Sequence, residues 1–154
     1  MEAMARFADF RRIKILGAAT LVVIIASIAF ALPSYNERMR RNQLLEAFQN
    51  LSDIQLWMEG FYQHYRVYAR GDVCGAAVVP EARAQHFTYT CALDTTAGVA
   101  PGQSYTATAT GKSRYTTGFI FTIDQNKIHG TVSIPSDWGT PSASAQTTWV
   151  DRKP

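Results

Sequence analysis

Two cysteines, three histidines, a set of aspartates and one basic pair are the residues of this chain whose types could do chemistry. His64 lies in a helix-favouring stretch, and His86 and His129 lie in strand-like runs, so the three lack the spacing of metal ligands. Asp72, Asp94, Asp124 and Asp137 sit beside turn-forming residues, where aspartate serves local hydrogen bonding. No Ser/His/Asp arrangement, phosphate loop or H-E-x-x-H is present. No catalytic residue, metal site or cofactor is therefore expected, and the chain does not read as an enzyme. Lys112 and Arg114, next to Tyr115, form a basic pair in a loop. Such a pair could touch DNA phosphates, or it could be a solvated turn. Phe61, Tyr62, Tyr65 and Tyr68 read as core aromatics rather than a ligand platform.

Cys74 and Cys91 have two readings: one disulfide in an exported domain, or two buried thiols in a cytosolic one. The N-terminal third decides between them. Ile15–Leu32 carries no charged residue and follows Arg6, Arg11, Arg12 and Lys14. At 1.5 Å per residue it reaches across a bilayer core of roughly 30 Å. It reads as a membrane span containing Leu21, Val22, Val23, Ile24, Ile25, Ala26, Ile28 and Phe30, with Pro33 at its end. A secretory signal cleaved after Ala31 competes, because Ala29-Phe30-Ala31 is a small-x-small pattern. A buried core helix is the third reading, disfavoured by an uninterrupted apolar run behind four basic residues. The first two readings put the remainder in an oxidising compartment and favour the disulfide. The net charge of +3 is too small to argue nucleic-acid binding by itself.

The elements that must position these residues follow from periodicity. Leu44, Phe48, Leu51, Ile54, Met58, Phe61 and Tyr65 recur by threes and fours, which predicts an amphipathic helix from about Tyr35 to Tyr68. With the apolar run it would make one long helix, roughly 50 residues and about 75–80 Å. After Arg70-Gly71-Asp72 the period changes to two. The runs at His86–Ala92, Ser104–Thr110, Thr117–Asp124 and Ile128–Ile134 predict four short strands. Turn residues separate them, which suits an antiparallel meander with one face on the helix. Phe87, Tyr89 and Cys91 share one face of their strand; Phe119, Phe121 and Ile123 are in phase on another. From Pro135 the chain reads as loop, folded back through Trp138 and Trp149. The fold class is α+β: a long N-terminal helix, membrane-spanning and then amphipathic, packed on a small antiparallel sheet. The segments are a basic cytoplasmic leader at 1–14, the span at 15–32, the amphipathic continuation at 33–70 and the sheet region at 71–154.

Several stretches together resemble the type IV pilin family, in its PilE-like branch. They are Ala31–Tyr35, Arg40-Arg41, Leu44–Ala47, Met58-Glu59 with Phe61-Tyr62, Tyr68-Ala69, Phe87–Cys91, Tyr105–Gly111, Gly118–Asp124, Trp138-Gly139 and Trp149–Lys153. The resemblance covers Leu21 to Lys153. It implies filament packing through the helices, with other pilin subunits, the assembly machinery and the membrane as partners. DNA or another surface ligand would be a further partner at Lys112 and Arg114.

Pilin precursors are cut after a leader Gly, before Phe, with a Glu a few residues on. Aligned through Ala31–Tyr35, these positions hold Arg11, Arg12 and Leu16. A minor or tip subunit fits this pattern better than a major one. The position of a further family cysteine is Thr148. The implied function is a structural, minor pilus subunit in the inner membrane, with its domain in the periplasm or at the cell surface. The alternatives are an anchored periplasmic binding or adaptor domain that does not polymerise, a secreted binding module, and a type II secretion pseudopilin.

Overall fold

The structure, a computed structural model, describes residues 35–77, 79–94, 100–139 and 147–151. The leader 1–14 and the apolar run 15–32 lie outside the described residues, as do the helix positions assigned from Leu21 to Pro33. Among the described residues no helix is long and apolar enough to cross a membrane. The chain divides into two units, Met1–Arg38 and Met39–Pro154. Residues 35–38 of the first are helical and exposed.

In the second unit, residues 39–65 form helix α1. A hairpin of β1 (Ala69–Arg70) and β2 (Val73–Cys74) follows, then a 3-10 turn at Glu81–Arg83. The main sheet holds β3 (Phe87–Leu93), β4 (Tyr105–Gly111), β5 (Ile120–Asp124) and β6 (His129–Ser133). Its strands lie in the order β3-β4-β5-β6 and every neighbouring pair is antiparallel. The architecture is α+β, with one helix packed on the sheet.

The stripe on α1 explains that packing. Leu44, Ala47, Leu51, Ile54 and Met58 are at most 1% exposed. Burying each of the larger side chains contributes roughly 1.5–3 kcal/mol. On the sheet, small residues of β4 sit between larger ones. Ala109 pairs with Tyr89 and Phe121, and Ala107 with Cys91 and Ile123. Tyr105, Phe87, Phe119 and Trp138 complete the core.

The helix ends earlier than its periodicity predicts. Arg66 takes a left-handed conformation, φ 60°, and its N–H donates to the carbonyl of Tyr62 at 2.8 Å. Tyr65, assigned to the apolar stripe, is consequently 60% exposed. Tyr68 turns inward instead, stacking on Tyr62 at 4.6 Å and donating its hydroxyl to Glu59 at 2.8 Å. Burial first, and the Glu59 hydrogen bond second, push its phenol pKa above the ordinary range. Tyr68 and Ala69 thus leave the helix and lead into the hairpin, which the change of period did not reveal.

Cys74 of β2 is bonded to Cys91 in the middle of β3, with Cα atoms 6.1 Å apart. The bridge ties the hairpin to the first strand of the main sheet. The C-terminal residues close the other edge. Trp149 stacks on Phe48 at 5.0 Å and on His129 at 3.9 Å, and its indole N–H donates to the carbonyl of Thr122. The Thr131 hydroxyl donates to the Thr148 carbonyl and accepts the Val150 N–H, so β6 is covered.

Candidate nucleic-acid interface

The connection between β4 and β5 carries Lys112, Arg114 and Tyr115. Its first pair extends the β3–β4 ladder. Phe87 pairs with Gly111, and the Lys112 N–H donates to the His86 carbonyl at 2.9 Å. Lys112 therefore stands opposite His86, one step beyond the last ladder pair. The chain then doubles back tightly. A Cβ on Gly111 would lie 1.9 Å from the Thr116 carbonyl oxygen, so only glycine fits there. Gly118, with φ 93°, completes the reversal into β5.

Thr116 fastens this loop. Its buried hydroxyl donates to the His86 carbonyl at 2.8 Å and accepts the Ser113 N–H at 3.0 Å. The Ser113 hydroxyl reaches the helix, donating to Gln43 at 2.6 Å. The Thr117 hydroxyl donates to the Ser113 carbonyl at 2.7 Å. These bonds leave Lys112 and Arg114 exposed on a loop whose backbone is held on three sides. The Arg114 guanidinium lies 5.7 Å from the centre of the Tyr115 ring. Among the described residues no carboxylate pairs with either cation.

Arg40 and Arg83, by contrast, are engaged. Arg40 pairs with Asp137 at 2.9 Å and lies over Trp138. Arg83 pairs with Asp53 and lies over Trp57. Their positive charge is offset locally, whereas that of Lys112 and Arg114 faces water.

Two features escape the sequence. Glu46 accepts the backbone N–H groups of His86 and Phe87 at 3.0 and 3.1 Å, fixing the strand start against which the loop is built. An acid between apolar helix positions gives no sign of that role. Arg70 lies 5.6 Å from the Phe61 ring centre, and Phe61 in turn lies 4.4 Å from Tyr65. Lys112 and Arg114 are thus not alone in combining a cation with an aromatic: besides Arg40 and Arg83, the β1–β2 hairpin places Arg70 over Phe61 near the C-terminal end of α1. His64, His86 and His129 are scattered, and among the described residues no group of His, Cys, Asp or Glu could hold a metal ion.

A helix on an antiparallel meander, a hairpin stapled to its first strand and a braced basic loop define an α+β domain of the pilin kind. The chain belongs to the family described as type IV minor pilin ComP, DNA uptake sequence receptor, whose model matches residues 33–118. No curated protein and no solved structure matches the chain.

Proposed function

We propose that the chain is a minor subunit of a type IV pilus or related filament and that it binds DNA through the loop bearing Lys112 and Arg114. The family match carries this reading: it runs from residue 33 to residue 118 and so takes in both cations and the bonds that brace them. Two unpaired cations, of which Arg114 lies over the Tyr115 ring, supply sequence-independent affinity for phosphates. The apolar run 15–32 serves as a single span, with the leader in the cytoplasm and the domain in the periplasm. Incorporation into filaments proceeds through packing of that helix with other pilins, where Ala26, Ser27 and Ala29 permit close approach.

The test combines sheared filaments with DNA binding. The chain should be present in filaments at low stoichiometry, and the purified full chain should retain a labelled DNA duplex. Fibres built from this chain alone would contradict the minor-subunit reading. Absence from filaments, with piliation intact on deletion, would instead favour an anchored adaptor domain.

A further inference from the structure

The face of the main sheet turned away from α1 carries threonines in register. On β3 they are Thr88 and Thr90; on β4, Thr106, Thr108 and Thr110; on β5, Thr122. Thr88 pairs with Thr110, Thr90 with Thr108, and Thr108 with Thr122. The burial alternation along β4 confirms their phase: Tyr105, Ala107 and Ala109 are buried, while Thr106 and Thr110 are exposed and Thr108 is half-buried. Among the described residues none of the six hydroxyls has a side-chain hydrogen bond. Lys112 follows Thr110 by two positions, and the ladder continues to it through His86.

We infer that the row Thr106–Thr108–Thr110–Lys112 is a track for one sugar-phosphate backbone of duplex DNA, extending the loop contact across the sheet. The inference rests on the DNA reading above. Side chains two residues apart on a strand are separated by about 6.8 Å, comparable with neighbouring phosphates along one strand of DNA. Each position offers a hydroxyl donor of the kind that contacts phosphate without reading sequence. The charges give the track a direction. Lys112 and Arg114 stand at one end, and Asp124, paired with Thr106, stands at the other. The occupant is a duplex rather than a single strand, because the three strands place no aromatic side chain on this face, and single strands are held by aromatic stacking.

The experiment measures binding of a fluorescent mixed-sequence duplex, and of one of its single strands, by the full chain in mild detergent. The triple variant Thr106→Val, Thr108→Val, Thr110→Val keeps side-chain shape and strand propensity. It should bind the duplex about tenfold more weakly, with the salt dependence unchanged, because neutral hydrogen bonds release no counterions. The corresponding triple serine variant keeps the hydroxyls and should bind like the parent. Both should melt as cooperatively as the parent. If Lys112→Ala with Arg114→Ala weakens binding while the valine variant binds like the parent, the track is overturned and the loop contact stands. Tighter binding of the single strand than of the duplex would also overturn it. No duplex binding by the parent chain would overturn the DNA reading itself.

Discussion

Both oxygens of the Glu46 carboxylate accept the backbone N–H of His86, each at 3.0 Å. One of them also accepts the Phe87 N–H, and the Tyr89 hydroxyl donates to the Glu46 carbonyl at 3.2 Å. Asn50, one turn along the helix, donates to the Arg83 carbonyl and to the Tyr89 hydroxyl. The first residues of β3 are thereby held by the helix before the sheet begins. The carbonyl of His86 then receives Lys112 and Thr116, so the position of the basic loop derives from α1.

Replacing Glu46 by alanine leaves two backbone donors without their acceptor. A hydrogen bond to a charged group contributes about 1.5–3 kcal/mol, and an orphaned buried donor adds a penalty. Glu46→Ala should lower stability by about 3 kcal/mol in denaturant titration. Glu46→Gln keeps one acceptor oxygen and should lose less. Equal stability of parent and alanine variant would contradict the capping role.

The bridge from Cys74 to Cys91 closes a loop of sequence separation 17. In the chain-entropy account, a loop of that length stabilises by about 3 kcal/mol. Cys74→Ser with Cys91→Ser should therefore lower the melting temperature clearly, and reducing agent should do the same to the parent. A melting temperature indifferent to reduction would contradict this.

Tyr68, Tyr89 and Tyr105 each have the phenol pKa raised, with burial the largest cause in all three. The folded-state values lie above the unfolded ones, so the unfolded chain releases these protons first as pH rises. Their stabilisation is complete below an ordinary phenol pKa of about 10 and is lost as pH climbs through the folded values. Thermal stability should hold from neutrality to about pH 10 and fall beyond it. Tyr89→Phe, which removes one of the three titrations, should flatten that alkaline fall.

The uncharged stretch 15–32 makes a prediction of its own. An aspartate at the centre of a membrane helix costs roughly 2.5–3.5 kcal/mol. Ile25→Asp should shift the chain from the membrane fraction or abolish its association with other pilins. Unchanged fractionation and association would contradict the span.

Much of the domain was legible because its signals are periodic. Leu44, Leu51, Ile54 and Met58 recur at helical spacing and are buried; Phe119, Phe121 and Ile123 recur at strand spacing and are buried. The four strands lie within a few residues of their predicted limits for the same reason. What was hidden depends on tertiary contact. Arg66 ends the helix without a glycine or proline to announce it, so Tyr65, read as core, is left exposed, while Tyr68 reaches the core it was assigned to from outside the helix. The loop's brace uses Ser113, Thr116 and Gln43, ordinary polar residues whose partners are distant in the chain. The basic pair itself could be read as a turn or as a phosphate contact, since two charges in a loop carry no geometry until the loop is folded.

The central claim is that Lys112 and Arg114 contact DNA phosphates. The measurement that tests it most directly is the salt dependence of duplex binding by the full chain, compared with Lys112→Ala and Arg114→Ala combined. Each lost phosphate contact lowers the slope of log affinity against log salt by about 1, so the double variant should show a slope smaller by about 2 together with weaker binding. Parent and variant binding with the same slope and the same affinity would contradict the account.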